Sequence, residues 1–323
     1  MKNIKLQYIV ACMGVLISLS ACKKERENIF NMFKDVEVTY HNNSPYSLTD
    51  YKEVNVNDSI YIDFTITSKN KSMHQVCVWE AGAATPFLRL TPSDAQRKSY
   101  SNVVKLKMNS KVGLTSYRVW ALDSAGVYIG DGYKTLSVFV NPDYKYWSNR
   151  YMQVPDTLEK AAKCYISLRT GQLYSYEEAK QQPELIDAAI FYDENANVLT
   201  NPADTLGGFT IYSLDASPNP LALYDISAWT KRSVQFSSLK TNQANTFRNT
   251  IRTGALLKSN AGSSFPNKKV LLTSVSSRAP VTSNNMVYFK TPEGKIGALF
   301  VNYVTGHSSK KGVIMNVDVK IEN

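Results

Sequence analysis

Apolar and polar residues alternate one by one along several stretches of residues 35–142. The apolar positions that show this most clearly are Ile60, Ile62, Phe64 and Ile66; Val104, Leu106 and Met108; Tyr117, Val119 and Ala121; and Leu136, Val138 and Val140. Successive side chains of a strand point to opposite faces, so this pattern predicts half-buried strands. Short strands at this spacing predict a β-sandwich over residues 35–142.

The stretch that begins at Gly113 resembles the late strands of bacterial immunoglobulin-like sandwiches. It carries Tyr117 where a tyrosine corner would lie, and the turn sequence Asp123-Ser124-Ala125-Gly126 follows the strand. The resemblance implies that the first domain is an immunoglobulin-like β-sandwich.

Residues 143–323 mix two periodicities. Asp156 with Glu159 and Ser175 with Glu178 have the spacing of capping boxes, which predicts two short helices, and Pro183 ends the second. A third, long helix is predicted over residues 242–258. The strands predicted here are a hairpin within residues 164–174 and further strands at residues 188–192, 286–289, 296–304 and 313–320. The pattern predicts an α+β domain over residues 143–323 with a largely antiparallel sheet, and the whole chain is predicted to be mostly β.

The first residues predict export rather than a membrane span. Lys2 and Lys5 precede an apolar run that is too short to cross a bilayer permanently. The run ends in Leu19-Ser20-Ala21-Cys22, which resembles the bacterial lipobox. This resemblance implies a signal peptide over residues 1–21, lipidation of Cys22 and a lipid anchor in the membrane. Residues 22–34 are polar and are predicted to be a tether.

Charge is distributed unevenly in the chain, whose formal net charge is +10. Residues 177–225 hold nine acidic residues and one basic residue, whereas residues 226–292 hold ten basic residues and no acidic one. One interpretation is that the two stretches meet in the fold or are solvated. The other is a basic surface for acidic polysaccharide, phosphate groups or a protein partner. Its residues would be Lys231, Arg232, Arg248, Arg252, Lys268 and Lys269. An exported protein is not expected to bind nucleic acid.

Aromatic residues concentrate in residues 143–151, which include Trp147. Their rings either hold two domains together or stack on sugar rings, as ligand-binding tryptophans do. Trp229 and Trp120 are further stacking candidates.

Two cysteines remain after processing, Cys77 and Cys164, and the apolar pattern around them favours buried free thiols over a disulfide bridge.

No catalytic or metal-binding motif is present in the sequence, so no cofactor and no metal site is predicted. Its three histidines, at positions 41, 74 and 307, are not spaced as metal ligands. A glycoside hydrolase needs only two facing carboxylates, and Asp187, Asp193 and Glu194 are the candidates, although the last two have the sequence of a turn.

Asp-Ser/Thr-aliphatic triplets occur four times, at Ser59, Ser124, Thr157 and Thr205. These triplets resemble the O-glycosylation acceptor pattern of exported Bacteroidetes proteins, and turns and caps also favour Asp-Ser and Asp-Thr.

Three segments carry a resemblance to a larger class of proteins: residues 168–179 (LRTGQLYSYEEA), 186–192 (IDAAIFY) and 288–297 (YFKTPEGKIG). They resemble a recurrent module of Bacteroidetes surface lipoproteins, in which an immunoglobulin-like domain precedes the module. The resemblance implies an outer-membrane location, facing the cell surface or the periplasm, and involvement with glycans or an outer-membrane protein partner. The function that these features favour is a non-enzymatic binding lipoprotein for polysaccharide or another anionic surface ligand. The alternatives are a structural or adhesive surface protein, such as a pilus or assembly component, and a glycoside hydrolase.

Overall fold

The computed structural model describes residues 35–156, 158–193, 208–271, 284–305 and 314–323. The chain is mostly β, as the sequence predicts, and its sheets are antiparallel and open. The chain forms two compact units. The first takes the chain up to Lys52 with Ser59–Leu106 and Thr115–Val138; the second takes Glu53–Asp58, Lys107–Leu114 and Phe139–Asn323. The domain boundary between residues 142 and 143 stays a prediction.

Nine strands form two sheets in the N-terminal region. They are β1 Val36–Tyr40, β2 Tyr51–Asn55, β3 Ser59–Ser68, β4 Gln75–Glu80, β5 Leu88–Leu90, β6 Ser99–Lys107, β7 Gly113–Leu122, β8 Tyr128–Gly130 and β9 Leu136–Asn141. One sheet has the order β1-β3-β6 and the other the order β2-β9-β7-β4-β5, with β8 paired to β7. The alternating positions of β3 and β7 bury one face of each strand, as predicted. Gly126, with φ +76°, closes the predicted turn by donating to the carbonyl of Asp123.

Two side chains show how closely this region is packed. Tyr117 is buried, which raises its pKa to about 12, and its ring meets that of Phe87 edge-on with centroids 6.1 Å apart. Cys77 is buried beside Trp120 on the other face of the sheet. Cys77 and Cys164 are both free, so the thiol prediction is confirmed and the alternative of a disulfide bridge is wrong.

Ten strands and two helices follow within the described residues of the C-terminal region. The strands are β10 Tyr144–Gln153, β11 Tyr165–Ile166, β12 Leu173–Tyr174, β13 Ala188–Asp193, β14 Gly208–Ser213, β15 Gln235–Phe236, β16 Lys269–Leu271, β17 Met286–Lys290, β18 Ile296–Thr305 and β19 Ile314–Glu322. The helices are α1 Tyr176–Gln181 and α2 Gly254–Ala261, with a 3-10 turn at Pro183–Leu185 and a π-helical turn at Thr246–Thr250. Another 3-10 turn, Asp94–Gln96, lies between β5 and β6 of the N-terminal region. The two sheets have the orders β10-β19-β18-β17-β15 and β12-β11-β13-β14-β16.

The main apolar core of this region involves both sheets. Buried side chains of β11, β13 and β14 belong to the same cluster as Val317, Val319 and Ile321 of β19. The opposite face of the β19 sheet is covered too, because Phe247, Ile251 and Leu257 pack there with Phe300 of β18. Strand β19 is therefore buried on both faces, although its sequence alternates between apolar and polar residues.

Two helix predictions are wrong, and the structure shows a cause for each. Asp156 caps a loop rather than a helix: its carboxylate accepts the backbone N–H groups of Glu159, Lys160 and Ala162. Burial would raise the pKa of Asp156, but these backbone donors outweigh it and lower the pKa. Such a carboxylate offers the backbone an alternative to the helical ladder.

The long helix predicted over residues 242–258 is broken. The π-helical turn ends at Thr250 and α2 starts at Gly254, because Thr253 is extended (φ −143°) and acts as the N-cap. Its hydroxyl accepts the N–H of Leu256 at 3.1 Å, and Asp143 Oδ1 accepts the N–H of Gly254 at 2.8 Å. The capping box of Ser175 and Glu178 is confirmed and opens α1.

Candidate ligand-binding surface

The covering segment of residues 244–261 is held on the sheet by a buried lysine. Lys320 is 5% exposed, and its Nζ donates to the carbonyl oxygens of Phe247 at 2.6 Å and Ile251 at 2.7 Å. These carbonyls lie at the end of the π-helical turn, where a helix leaves its acceptors without partners. Lys320 therefore stabilises the break that separates the turn from α2.

Three aromatic rings surround the same ammonium group. Nζ of Lys320 lies 4.6 Å from the ring centroid of Phe247, 5.4 Å from that of Tyr144 and 5.5 Å from that of Tyr146. Burial lowers the pKa of Lys320 to about 8, with Asp318 opposing the shift and Arg252 adding to it. The side chain is thus still charged at neutral pH, and cation–π attraction favours that state.

A buried carboxylate two residues earlier fixes the position of Tyr146. The Tyr146 hydroxyl donates to Asp318 Oδ2 at 2.7 Å, while the N–H of Asn149 and the amide of Asn302 donate to Oδ1 at 2.8 and 2.7 Å. Burial, and then this bond to Asp318, raise the pKa of Tyr146. The hydroxyl proton points inward, so the exposed part of Tyr146, which is 47% exposed, is mainly its ring.

Arg248 and Arg252 lie on the outer side of this assembly and are both exposed. The guanidinium carbon of Arg248 lies 5.6 Å from the ring centroid of Phe300, and its Nη2 is 3.4 Å from Asn302 Oδ1. The positive charge of Arg248 acts to lower the pKa of Tyr146, and that of Arg252 acts on Tyr144, so each guanidinium lies near one ring. Within the described parts of the chain neither arginine has a carboxylate in ion-pair contact. We call Arg248, Arg252, Tyr144 and Tyr146 the arginine surface.

Other members of the predicted basic surface are already partnered. Arg232 Nε is 2.6 Å from Asp187 Oδ1, and its Nη2 pairs with Glu293. Lys268 Nζ is 2.6 Å from Asp215. The acidic and basic stretches therefore meet at Asp187 and Asp215, as the first of the two interpretations expects, and Arg232 and Lys268 take part in these contacts.

Two more lysines of the predicted set remain on the surface. Lys269 is exposed, with its Nζ 5.3 Å from the ring centroid of Phe191. Lys231 is exposed as well and lies near enough to Asp225 for its charge to act on that carboxyl, whose pKa is lowered first by hydrogen bonds from Ser227.

The tryptophans that were predicted to stack on sugar rings are buried or half-buried in the protein. Trp229 is 8% exposed and stacks on Tyr176 with centroids 5.5 Å apart, which argues against the predicted role of Trp229 in sugar stacking. Trp147 is half-buried on β10 and packs against the main core. Trp120 is half-buried between Trp79 and Tyr128, at centroid distances of 6.4 and 5.3 Å. The exposed ring beside the arginines is Tyr146.

The candidate catalytic carboxylates do not form a described pair. Asp187 is fully buried, and it accepts hydrogen bonds from Arg232, from Arg169 and from the N–H of Leu168. The side chain of Asp193 and the whole of Glu194 lie outside the described residues. Asp187 therefore serves as the shared acceptor of an ion network that joins it to Arg169 and Arg232.

Some predicted positions cannot be placed. Cys22, the signal peptide and the tether, together with Thr157 and Thr205, lie outside the described residues. Ser59 is half-buried at the start of β3, and Ser124 is exposed in the turn after β7. O-glycosylation of these four positions stays a prediction.

The described residues contain no cluster of three or more His, Cys, Asp or Glu side chains able to hold a metal ion. In the same part of the chain, no helix has the length and apolar character needed to cross a bilayer. A scan against protein-family models and a search of curated proteins found no match. We therefore argue the function from the residues themselves.

Sequence reasoning identified Arg248 and Arg252 but missed the side chains that position them. Asn316, Asp318 and Lys320 alternate with apolar residues on β19, which is also the pattern of a solvated strand face. Their burial depends on the covering segment, which lies far away in the sequence. Asn302, on the paired strand β18, belongs to the same polar cluster, since its amide donates to Asn316 and Asp318.

Proposed function

We propose that this protein is a surface-anchored, non-enzymatic binding lipoprotein that captures acidic polysaccharide through the arginine surface. The lipobox-like sequence before Cys22 supports the anchor. The observation that carries the binding role is that Arg248 and Arg252 are exposed and lack a carboxylate partner among the described residues, although other basic residues of the same stretch have one.

The arrangement suits an acidic sugar polymer in two ways. Guanidinium groups bind carboxylates and sulfates with charge-assisted hydrogen bonds. Tyr144 and Tyr146 add ring surface beside those charges, and aromatic rings provide apolar contact area while keeping a polar group at the edge. Asp318 and Lys320 hold Tyr146 and the covering segment in place, so the surface is organised before a ligand arrives.

The proposal is tested with the chain from residue 23 onward, which retains every described residue. Alginate, polygalacturonate and chondroitin sulfate are immobilised beside the neutral polymer dextran, and dissociation constants are measured by biolayer interferometry. Binding to at least one acidic polymer but not to dextran is expected. The double variant Arg248→Gln/Arg252→Gln is expected to bind about tenfold more weakly, since exposed ion pairs contribute up to about 1 kcal/mol each.

The matched control is Lys105→Gln/Lys107→Gln, which removes the same charge from exposed positions of β6. It should bind like the unaltered protein. If both double variants weaken binding equally, or if dextran binds as well as the acidic polymers, the arginine surface is not the binding site.

A further inference from the structure

A bulge interrupts the edge strand β10 and forms one wall of a cleft. The pairing of β10 with β19 shifts register between Trp147 and Arg150, and Asn149 has a φ of +54°. The N–H of Asn149 donates to the buried Asp318 at 2.8 Å, which fixes the bulge. Bulges of this kind redirect the side chains that follow them and recur beside binding sites.

The other wall is the hairpin turn between β11 and β12. Gly171 has a φ of +68°, and a Cβ atom there would lie 2.5 Å from Cγ of Trp147. The turn can therefore pack against Trp147 only because residue 171 has no side chain. Residues 149–151 and 170–173 line a cleft of ≈ 320 Å³. This volume is at the lower end of the range of small-molecule sites.

One residue that lines the cleft is an arginine without a described carboxylate partner. The Nε atom of Arg150 is buried and has no hydrogen-bond partner within the described part of the chain, and Arg150 makes no ion pair there. Nε1 of the neighbouring Trp147 is likewise buried and has no hydrogen-bond partner within the described part of the chain. Buried donors are almost always paired, and an unpaired one is destabilising. Because Arg150 lines the cleft and has no carboxylate partner among the described residues, its guanidinium group can take an acceptor from a ligand bound there.

The surrounding side chains indicate what kind of molecule carries that acceptor. A guanidinium group matches a carboxylate in charge and geometry. Asn149, Thr170 and Gln172 are exposed along the cleft and offer amide and hydroxyl groups, which suit the hydroxyls of a sugar. We propose that the cleft binds one carboxylate-bearing sugar unit, with Arg150 on its carboxylate. This site shares no residue with the arginine surface and does not depend on it.

Saturation-transfer NMR on the chain from residue 23 onward tests this, with glucuronate and galacturonate as probes and glucose and acetate as comparison ligands. At least one uronate should bind saturably, and Arg150→Gln should weaken it about tenfold or more, as expected for the loss of a charge-assisted hydrogen bond. Lys145→Gln is the control, because Lys145 is exposed on the same strand and the charge change is equal.

Several results would overturn the proposal: no binding of either uronate, equal weakening by Arg150→Gln and Lys145→Gln, or binding of glucose or acetate as tight as that of the uronate. Arg248→Gln/Arg252→Gln should leave uronate binding unchanged. If that double variant abolishes it while Arg150→Gln does not, the uronate sits on the arginine surface. The cleft assignment then fails while the proposed function stands.

Discussion

Arg232 and Arg248 come from the same acid-free stretch of sequence but have opposite environments. Arg232 is 15% exposed in its side chain and bridges Asp187 and Glu293, so its charge is neutralised inside the fold. Arg248 is exposed over Phe300 and has no described carboxylate partner. A run of basic residues is thus divided by the fold into charges that hold the structure together and charges that remain available for a ligand.

The largest expected effect on stability comes from removing the carboxylate partner of Arg232, the paired arginine of this comparison. Asp187→Ala should lower the free energy of unfolding by about 3–5 kcal/mol, because Arg232 is left buried without its closest partner. Urea denaturation measures this. Asp94→Ala, which breaks the exposed pair with Arg97, should cost at most about 1 kcal/mol. If the two variants are equally stable, the Asp187 network is not a structural element.

A second variant removes the buried support of the arginine surface. Lys320→Met should lower the free energy of unfolding by about 2–3 kcal/mol, since the carbonyls of Phe247 and Ile251 lose their donor. Lys258→Met, at an exposed position of α2, is the control and should have little effect. Equal effects of the two variants would mean that Lys320 does not hold the covering segment.

The same lysine predicts a pH dependence. The pKa of Lys320 is lowered from 10.5 to about 8 in the folded state, so between these values the unfolded chain binds more protons. The pH-dependent part of the contribution of Lys320 to stability is therefore greatest above pH 10.5 and is lost as the pH falls through about 8. Subtracting the Lys320→Met profile from that of the unaltered protein should show a rise across this window. A flat difference would contradict the assigned environment.

A smaller effect is expected at the break before α2. Thr253→Val keeps the shape of the side chain but removes the hydroxyl that caps Leu256, which should cost about 1 kcal/mol. Thr253→Ser keeps the hydroxyl and tests whether the cap or the packing matters. If Thr253→Ser is the less stable of the two by denaturation, the buried methyl group and not the cap sets the break.

The smallest effect concerns the outer partner of Arg232. The bond from Arg232 lowers the pKa of Glu293 from 4.5 to about 2, so this carboxylate contributes stability above pH 4.5 that is lost as the pH falls through about 2. Because Glu293 is 43% exposed, Glu293→Gln should cost less than about 1 kcal/mol at neutral pH. In acid denaturation, the free energy of unfolding of the variant should not show the part of the decline with falling pH that Glu293 causes. An unchanged acid profile would show that the pair contributes nothing.

The sequence predicts elements whose signal is local. The alternation in β3, the capping box at Ser175 and the hairpin of β11 and β12 depend on neighbouring residues, and all three are confirmed. The break at Thr253 was missed because it depends on Lys320 and Asp143, which lie far away in the chain. Helical periodicity in residues 242–258 gave no sign of either partner.

The candidate site was predictable only in part for the same reason. The charge pattern identifies the basic residues, but long-range pairing with Asp187 and Asp215 decides which of them have a carboxylate partner. The Arg150 cleft was not predictable, since it needs a bulge fixed by Asp318 and a glycine under Trp147.

The central claim, that Arg248 and Arg252 bind acidic polysaccharide, is tested most directly by the salt dependence of binding. Affinity for the best acidic polymer is measured from low to high NaCl for the unaltered chain, for Arg248→Gln/Arg252→Gln and for Lys105→Gln/Lys107→Gln. We predict a steep loss of affinity with salt that becomes shallower only in the arginine variant, because exposed charge contacts are screened. The same slope in all three proteins would contradict the claim.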